Sequence, residues 1–117
     1  MPARARFDRP LKPLVFEILL ALADGPRHGW TIVRALQDRS PGTHILPGHF
    51  YRTLSRTLDE GLIEEARAPT RGGIDERRRY FRLTALGERV AAAEARRLEA
   101  LVAESRAKRL LSSRSRS

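Results

Sequence analysis

The chain has 117 residues and a mass of 13.3 kDa, which suffice for one compact domain with an additional helix but not for two independent cores. Its 23 Lys and Arg outnumber its 14 Asp and Glu, so the formal net charge is +9 and an anionic partner is expected. The absence of cysteine excludes disulfides, thiolate nucleophiles and cysteine-based zinc sites. Only Lys12 and Lys108 are lysines, and arginine suits forked hydrogen bonds to phosphate and guanine, so nucleic acid is favoured over a membrane surface.

The two ends of the chain differ in composition from its middle. Residues 1–10 carry three arginines and lack the apolar block and cleavage site of a signal peptide, so we expect a flexible basic arm. Residues 112–117 contain only Ser and Arg and are predicted to be a disordered tail. No apolar run approaches the roughly 20 residues needed to cross a bilayer, and we expect a soluble, cytoplasmic protein with no membrane partner.

Two helices are predicted in the first third of the chain. Residues 14–23 are apolar on nearly all sides except at Glu17, so this helix should be buried, and residues 24–26 (Asp-Gly-Pro) should end it. A second helix is expected over about residues 29–39. Its inner face is predicted from three apolar residues at helical spacing: Ile32, Val33 and Leu36.

A third helix is predicted from Pro47-Gly48 to about Glu60, with Gly61 ending it. Phe50, Leu54 and Leu58 recur at intervals of four and therefore share one face, which we expect to pack on the core.

The spacing of the apolar residues changes after this helix. Residues 62–68 and 77–83 are two short extended runs that flank a Pro- and Gly-containing loop, which predicts a β-hairpin. Thr84 is a candidate N-cap for a fourth helix that extends to about Leu111. The expected fold is mainly α with a small β-hairpin: a winged helix-turn-helix domain over residues 11–84, followed by a long C-terminal helix over residues 85–111.

The outer face of the third helix carries side chains suited to a DNA groove. Arg52 and Arg56 lie opposite the apolar stripe, where arginine can contact base edges and phosphates in a major groove. The alternative is that these two residues merely solvate an exposed helix. We also expect contacts from the start of the second helix, whose free backbone N–H groups suit a phosphate, although Trp30 there is equally suited to the core.

The hairpin is expected to supply a second set of contacts, because its arginines cluster around a Gly-Gly tip that lets the backbone approach phosphate. The alternatives are a solvated charged loop, or pairing of these arginines with Asp75 and Glu76. The predicted DNA-binding residues are His28, Gly29, Trp30, Gly48, His49, Tyr51, Arg52, Ser55, Arg56, Arg71, Gly72, Gly73, Arg77, Arg78 and Arg79.

Four segments together resemble the PadR family of transcriptional regulators: residues 14–30, 47–54, 60–63 and 78–87. Trp30 stands where the family usually has Tyr, an aromatic exchange of little consequence. His49-Phe50 stands where Thr or Ser followed by Leu is commoner, and this change near the DNA implies a different operator sequence. The resemblance implies a homodimer held largely by the C-terminal helix, acting on a pseudo-palindromic operator, usually as a repressor. The chain is similar to the short subclass with a single C-terminal helix.

The C-terminal helix itself supports a homodimer, because an isolated helix has nothing against which to bury its apolar stripe. The alternative is that this helix folds back on its own domain. The predicted interface residues are Ala91, Glu94, Leu98, Leu101, Val102 and Ser105.

Catalysis finds little support in the sequence. His28, His44 and His49 lack metal-ligand spacing, and no nucleophile elbow, phosphate loop or dinucleotide motif is present. We therefore expect no enzyme activity, no metal and no cofactor. Two other functions stay open, namely an RNA- or ribosome-associated basic protein and a protein-interaction module. A small-molecule effector is neither predicted nor excluded. The fourth helix has no aromatic residue that could stack on a flat ligand.

Overall fold

The computed structural model describes residues 10–39, 42, 45–66 and 79–111. The helices are α1 (Pro13–Ala21), α2 (Gly29–Arg39), α3 (Pro47–Asp59) and α4 (Ala85–Ala107), and the strands are β1 (Arg27–His28), β2 (Ile63–Ala66) and β3 (Tyr80–Leu83). The predicted mainly α fold with a winged helix arrangement and a long C-terminal helix is confirmed. Its α4 ends four residues before the predicted Leu111.

Helix α1 is only partly enclosed by the rest of the domain. Its Ile18 and Leu19 are fully buried, but Leu20 is 46% exposed, so the prediction that the whole helix is buried is wrong. The helix packs against α2, α3 and α4, which leaves one side open. Arg27 closes the turn after α1: its Nε donates to the Ala21 carbonyl over 2.9 Å and its Nη2 pairs with Asp24 over 3.1 Å.

The sheet has three antiparallel strands in the order β1-β3-β2, one more than the predicted hairpin. Strand β1 places Arg27 opposite Phe81 and His28 opposite Tyr80. Two residues are too few to show the alternation by which strands are identified in a sequence. This short strand fixes the start of α2 beside the sheet, because α2 begins at the next residue.

The core is built from the faces that the periodicity predicts. Ile32 and Leu36 of α2 and Phe50 and Leu54 of α3 are buried against α1, with Val33 and Leu58 packed at the margin. Thr57 is also fully buried on α3, where its hydroxyl donates to the Thr53 carbonyl over 2.8 Å. The sheet adds the buried side chains of Ile63, Tyr80 and Phe81, and Leu62, which precedes β2, is buried beside them.

The end of α3, the start of β2 and the start of α4 meet at one junction. The Thr84 hydroxyl donates to the Gly61 carbonyl over 2.6 Å and accepts the Gly87 N–H over 2.9 Å, which confirms Thr84 as the N-cap. The Thr84 N–H donates to the Leu62 carbonyl over 3.1 Å. At Gly87 there is no room for a side chain, because a Cβ would lie 1.9 Å from the Leu62 carbonyl oxygen.

Glu94 fastens the middle of α4 to the beginning of the domain. It is buried and accepts hydrogen bonds from Arg97 at 3.0 and 2.6 Å, and the backbone N–H of Leu11 also favours its charged form. The Arg97 hydrogen bond is the main reason that the pKa of Glu94 lies below its ordinary value of 4.5, although burial opposes it. Glu94 therefore contacts its own domain in the single chain, and its place at a dimer surface stays a prediction.

Replacing Gly87 by alanine should destabilise the fold strongly, because the new methyl group would overlap the backbone of Leu62, which cannot move without disturbing β2 and α4. We expect the free energy of unfolding to fall by about 3 kcal/mol or more, measured by denaturant titration. Gly48→Ala is the matched control, since its Cβ would meet only the end of the flexible Arg52 side chain, at 3.2 Å. That variant should be neutral or gain up to about 1 kcal/mol, and similar losses in both variants would contradict the role of the junction.

Replacing Glu94 by glutamine should make folding stability less dependent on acid pH. Because the folded-state pKa of Glu94 is lowered, its contribution is present above its ordinary value of 4.5 and disappears as the pH falls through the folded-state value. Glu94→Gln should lower the free energy of unfolding by about 1–2 kcal/mol at neutral pH, and the difference from the natural chain should shrink toward pH 3. Glu99→Gln, at an exposed position of the same helix, should change little. If Glu94→Gln lowers the free energy of unfolding equally at neutral pH and near pH 3, this assignment is refuted.

Candidate nucleic-acid interface

Helix α3 has one face in the core and the other in solvent. Its buried residues are Phe50, Leu54 and Thr57, whereas the predicted contact residues His49, Tyr51, Arg52, Ser55 and Arg56 are all exposed. The separation arises because the apolar residues recur at helical spacing and Thr57 satisfies its hydroxyl within the helix. We call α3 the recognition helix from here on.

Arg52 and Arg56 carry the exposed positive charge of the recognition helix. Neither forms an ion pair with any carboxylate in the described part of the chain. Arg52 extends back toward the start of the helix, where its Nη1 lies 3.2 Å from the position that a Cβ on Gly48 would occupy. These two guanidinium groups lie one turn apart without a carboxylate partner among the described residues, and each can donate several hydrogen bonds to a nucleic acid.

The start of α2 lies directly beside the recognition helix. Gly29 is buried, and a Cβ there would come within 3.2 Å of the Tyr51 ring. The ring Nε2 of His28 lies 2.8 Å from the Thr31 hydroxyl, and the ring meets Tyr80 edge to face at 5.4 Å between centroids. These contacts bring two of the predicted contact segments, residues 28–30 and the recognition helix, onto one surface.

Trp30 lies on that surface and not in the core, since it is 58% exposed. Its ring is held by two neighbours: the Arg34 guanidinium lies over it at 4.8 Å, and the His28 ring stacks nearly parallel to it at 6.4 Å between centroids. Arg34 is a residue that the sequence prediction missed. The signal available for it was the spacing of four residues between Trp30 and Arg34, which places the two on one helix face.

The hairpin contributes only Arg79 among the described residues. Its Nε donates to Glu65 over 3.1 Å, a second nitrogen of the same group also binds Glu65, and the guanidinium lies over Phe81 at 5.3 Å. The other predicted hairpin contacts fall outside the described residues, namely Arg71, Gly72, Gly73, Arg77 and Arg78.

A cavity of about 700 Å³ opens between the start of α2, the recognition helix and β3. Predicted DNA-contacting residues form much of its wall, including Trp30, Tyr51, Ser55 and Arg79. The cavity and the candidate DNA-binding surface therefore share side chains.

The predicted dimer residues divide between two environments on α4. Ala91 packs against the core and Glu94 is buried, so both belong to the contact between α4 and its own domain. Leu98 and Ser105 are half-buried, and the Ser105 hydroxyl donates to the Leu101 carbonyl over 2.8 Å. Leu101 and Val102 are 48% and 42% exposed, so they leave an uncovered apolar patch on the second half of the helix.

Two other classes of site were sought in the described ranges. No group of three or more His, Asp or Glu residues there is placed to hold a metal ion. No helix in those ranges is long and apolar enough to span a bilayer.

Comparisons with solved structures show the same arrangement in other proteins. A PadR family transcription regulator from Clostridium difficile has a TM-score of 0.68 at 20% identity, over 86% of this chain and 100% of that chain. A mutant of ZitR from Lactococcus lactis has a TM-score of 0.67 at 24% identity, over 93% of this chain and 68% of that chain. A transcriptional regulator from Clostridium thermocellum has a TM-score of 0.64 at 20% identity, over 81% of this chain and 87% of that chain. At these identities the likeness establishes the fold.

No curated protein matches the chain significantly. The model of the transcriptional regulator PadR-like family, in contrast, matches residues 18–93, well over half of the chain and including every element from the middle of α1 to the middle of α4. This confirms the resemblance expected from the sequence, and the chain belongs to the PadR-like family of transcriptional regulators.

Proposed function

We propose that this regulator binds a pseudo-palindromic operator in double-stranded DNA as a homodimer and represses the neighbouring genes. The observation that carries the proposal is the recognition helix, whose buried face holds it on the core while Arg52 and Arg56 stand exposed without a carboxylate partner in the described chain. A helix of this kind fits the major groove, where arginine forms two hydrogen bonds with guanine.

The start of α2 supports the same surface. The first backbone N–H groups of a helix have no partner within it, so they can bind a phosphate oxygen beside the groove. The exposed Trp30 and the Arg34 stacked on it lie at this end of α2 and add a positive charge there. In this proposal α2 contacts the DNA backbone and the recognition helix contacts the bases.

An RNA-binding role is less well supported by the sheet. Proteins that bind single-stranded RNA on a sheet stack bases on exposed aromatic side chains. Tyr80 and Phe81 of β3 are both buried, and the His28 ring of β1 packs edge to face against Tyr80. The proposal therefore stays with duplex DNA.

The second half of α4 supports the proposed homodimer. Leu101 and Val102 are apolar and exposed in the single chain, and a two-fold axis would let the same patch on each copy cover the other. With Glu94 and Ala91 engaged by the domain, the proposed interface is reduced to the region around Leu98, Leu101, Val102 and Ser105. Dimerisation would link two recognition helices and so increase affinity for a two-fold operator.

Selection from a random duplex library should return a palindromic sequence, and binding to it should weaken steeply with salt. If the dimer neutralises on the order of 6–10 phosphates, affinity should fall about 10³- to 10⁵-fold between roughly 50 and 200 mM salt. Affinity that stays constant over that range would contradict the electrostatic basis of the interface.

Substitution of the recognition-helix arginines should remove sequence preference. Arg52→Ala or Arg56→Ala should weaken binding to the selected operator by about 1–3 kcal/mol and binding to random duplex by much less, measured by fluorescence anisotropy. Arg96→Ala is the control, because it removes the same charge from an exposed position of α4. If both recognition-helix variants keep the full ratio of operator to random binding, the recognition helix is not the element that reads the bases.

Charges placed on the exposed patch of α4 should separate the protomers without unfolding them. Leu101→Glu with Val102→Glu should give a folded monomer that binds half-sites weakly, because unpaired carboxylates cannot be buried at an interface. Sedimentation measures the mass, and circular dichroism checks the fold. The control, Ala92→Glu with Ala93→Glu, adds the same charges at exposed positions near the start of α4. An unchanged dimer in the first variant would reject this interface.

A further inference from the structure

Leu46 is an exposed apolar residue at the start of the recognition helix. It is the N-cap residue of this helix and is 61% exposed. The preceding residue, Ile45, already packs against the core cluster to which Phe50 belongs, so the apolar contact that often fixes the start of a helix is supplied without Leu46. Leu46 therefore contributes little to the core of the single chain.

Leucine is also an unfavourable residue for the N-cap position. This position favours Ser, Thr, Asp and Asn, whose side-chain oxygen accepts one of the first backbone N–H groups, and leucine has no such oxygen. The backbone at Leu46 is extended, with φ −71° and ψ 127°, as it is at an N-cap that carries a polar residue. Helix α4 has such a residue, since the Thr84 hydroxyl accepts the Gly87 N–H. Leu46 thus leaves the recognition helix without a side-chain cap and exposes an apolar side chain, and residues that break a local rule in this way are concentrated at functional sites.

The first turn of the recognition helix brings Leu46 close to the Arg52 guanidinium. Gly48, two residues after Leu46, is exposed and has no side chain, and the Nη1 atom of Arg52 lies 3.2 Å from the position that a Cβ would occupy there. Arg52 therefore extends back toward the end of the helix at which Leu46 lies. The N-terminal residues of a recognition helix are the ones that reach base edges, so an apolar group and a cation stand side by side at that end.

An apolar side chain in a major groove has one distinctive partner, the 5-methyl group of thymine, because the base edges there otherwise present mainly hydrogen-bond donors and acceptors. We propose that Leu46 contacts the methyl group of a thymine next to the base pair that Arg52 contacts, and that operator preference depends on this methyl group. The inference rests on the proposed function, since it needs the recognition helix in the major groove. It adds a contact of a different kind, because the hydrogen bonds of an arginine do not detect a methyl group.

Replacing thymine by uracil in the operator removes the methyl group and keeps the hydrogen bonds of the base pair. Each thymine of the selected operator is replaced in turn by deoxyuridine, in both half-sites at once, and binding of the full-length natural chain is measured by fluorescence anisotropy. We expect the apparent Kd to rise about 15-fold at one thymine position per half-site, since burial of one methyl group contributes about a factor of four. If no position raises the Kd by more than about twofold, the thymine contact is overturned.

Leu46→Ser tests whether Leu46 makes this contact. Serine supplies the cap oxygen that leucine lacks, so the Tm of the variant should be about 3–6 °C higher than that of the natural chain, and a loss of binding cannot then be ascribed to misfolding. The variant should bind the thymine and uracil operators with equal affinity. Leu46→Met keeps an apolar side chain and should retain the preference for thymine. Leu20→Ser is the matched control, because it removes an exposed leucine of α1 and should leave that preference unchanged.

The possible failures are distinct. If Leu46→Ser weakens both operators equally, or keeps the natural preference for thymine, Leu46 does not contact the methyl group. A lower Tm in Leu46→Ser would mean that Leu46 packs within its own domain, which overturns the assignment as well. A chain that selects no operator overturns the proposed function together with this inference, whereas specific operator binding without a thymine preference overturns this inference alone.

Discussion

The contact between Gly87 and the Leu62 carbonyl is the constraint on which the other parts of the structure depend. Four segments converge there: the Thr57 carbonyl of the recognition helix accepts the Leu62 N–H over 3.3 Å, Leu62 leads into β2, and Thr84 joins β3 to α4. Only a residue without a side chain lets α4 pass so close to that carbonyl. The direction in which α4 leaves the domain is thereby fixed relative to the recognition helix, and with it the separation that a dimer would give to two recognition helices.

The regular parts of the fold could be predicted because each has a periodic signal in the sequence. The bounds of α2, the core face of the recognition helix and the Thr84 cap all follow from spacing or from local hydrogen bonding. Strand β1 could not be predicted, since two residues show no period and their pairing with β3 joins segments about fifty residues apart. Thr57 is a polar residue that would be expected at the surface. It is buried in the core because its hydroxyl donates a hydrogen bond to a carbonyl of its own helix.

The exposed face of the candidate site could be predicted for a similar reason. Helical spacing places Arg52 and Arg56 opposite Phe50, and the structure agrees. The positions of Trp30 and Glu94 were not predicted. Trp30 is held at the surface by Arg34 of the same helix and by His28 of β1, and Glu94 is buried where α4 packs on its own domain and pairs with Arg97. The net charge of +9 also does not show which arginines are available to an anionic partner. Several arginines of the described chain pair with carboxylates: Arg27, Arg39, Arg79, Arg82 and Arg97.

The buried and exposed faces of the recognition helix differ in how freely their residues can be substituted during evolution. Phe50, Leu54 and Thr57 hold the helix in place, whereas Arg52, Ser55 and Arg56 between them are exposed. Under the proposed function, substitutions at Arg52, Ser55 or Arg56 would alter the preferred operator at little cost in folding free energy, since surface changes away from special contacts usually alter it by less than about 0.5 kcal/mol. A duplicated copy would then gain new regulatory targets through a few codons of one helix, while the core residues that hold this helix stay unchanged.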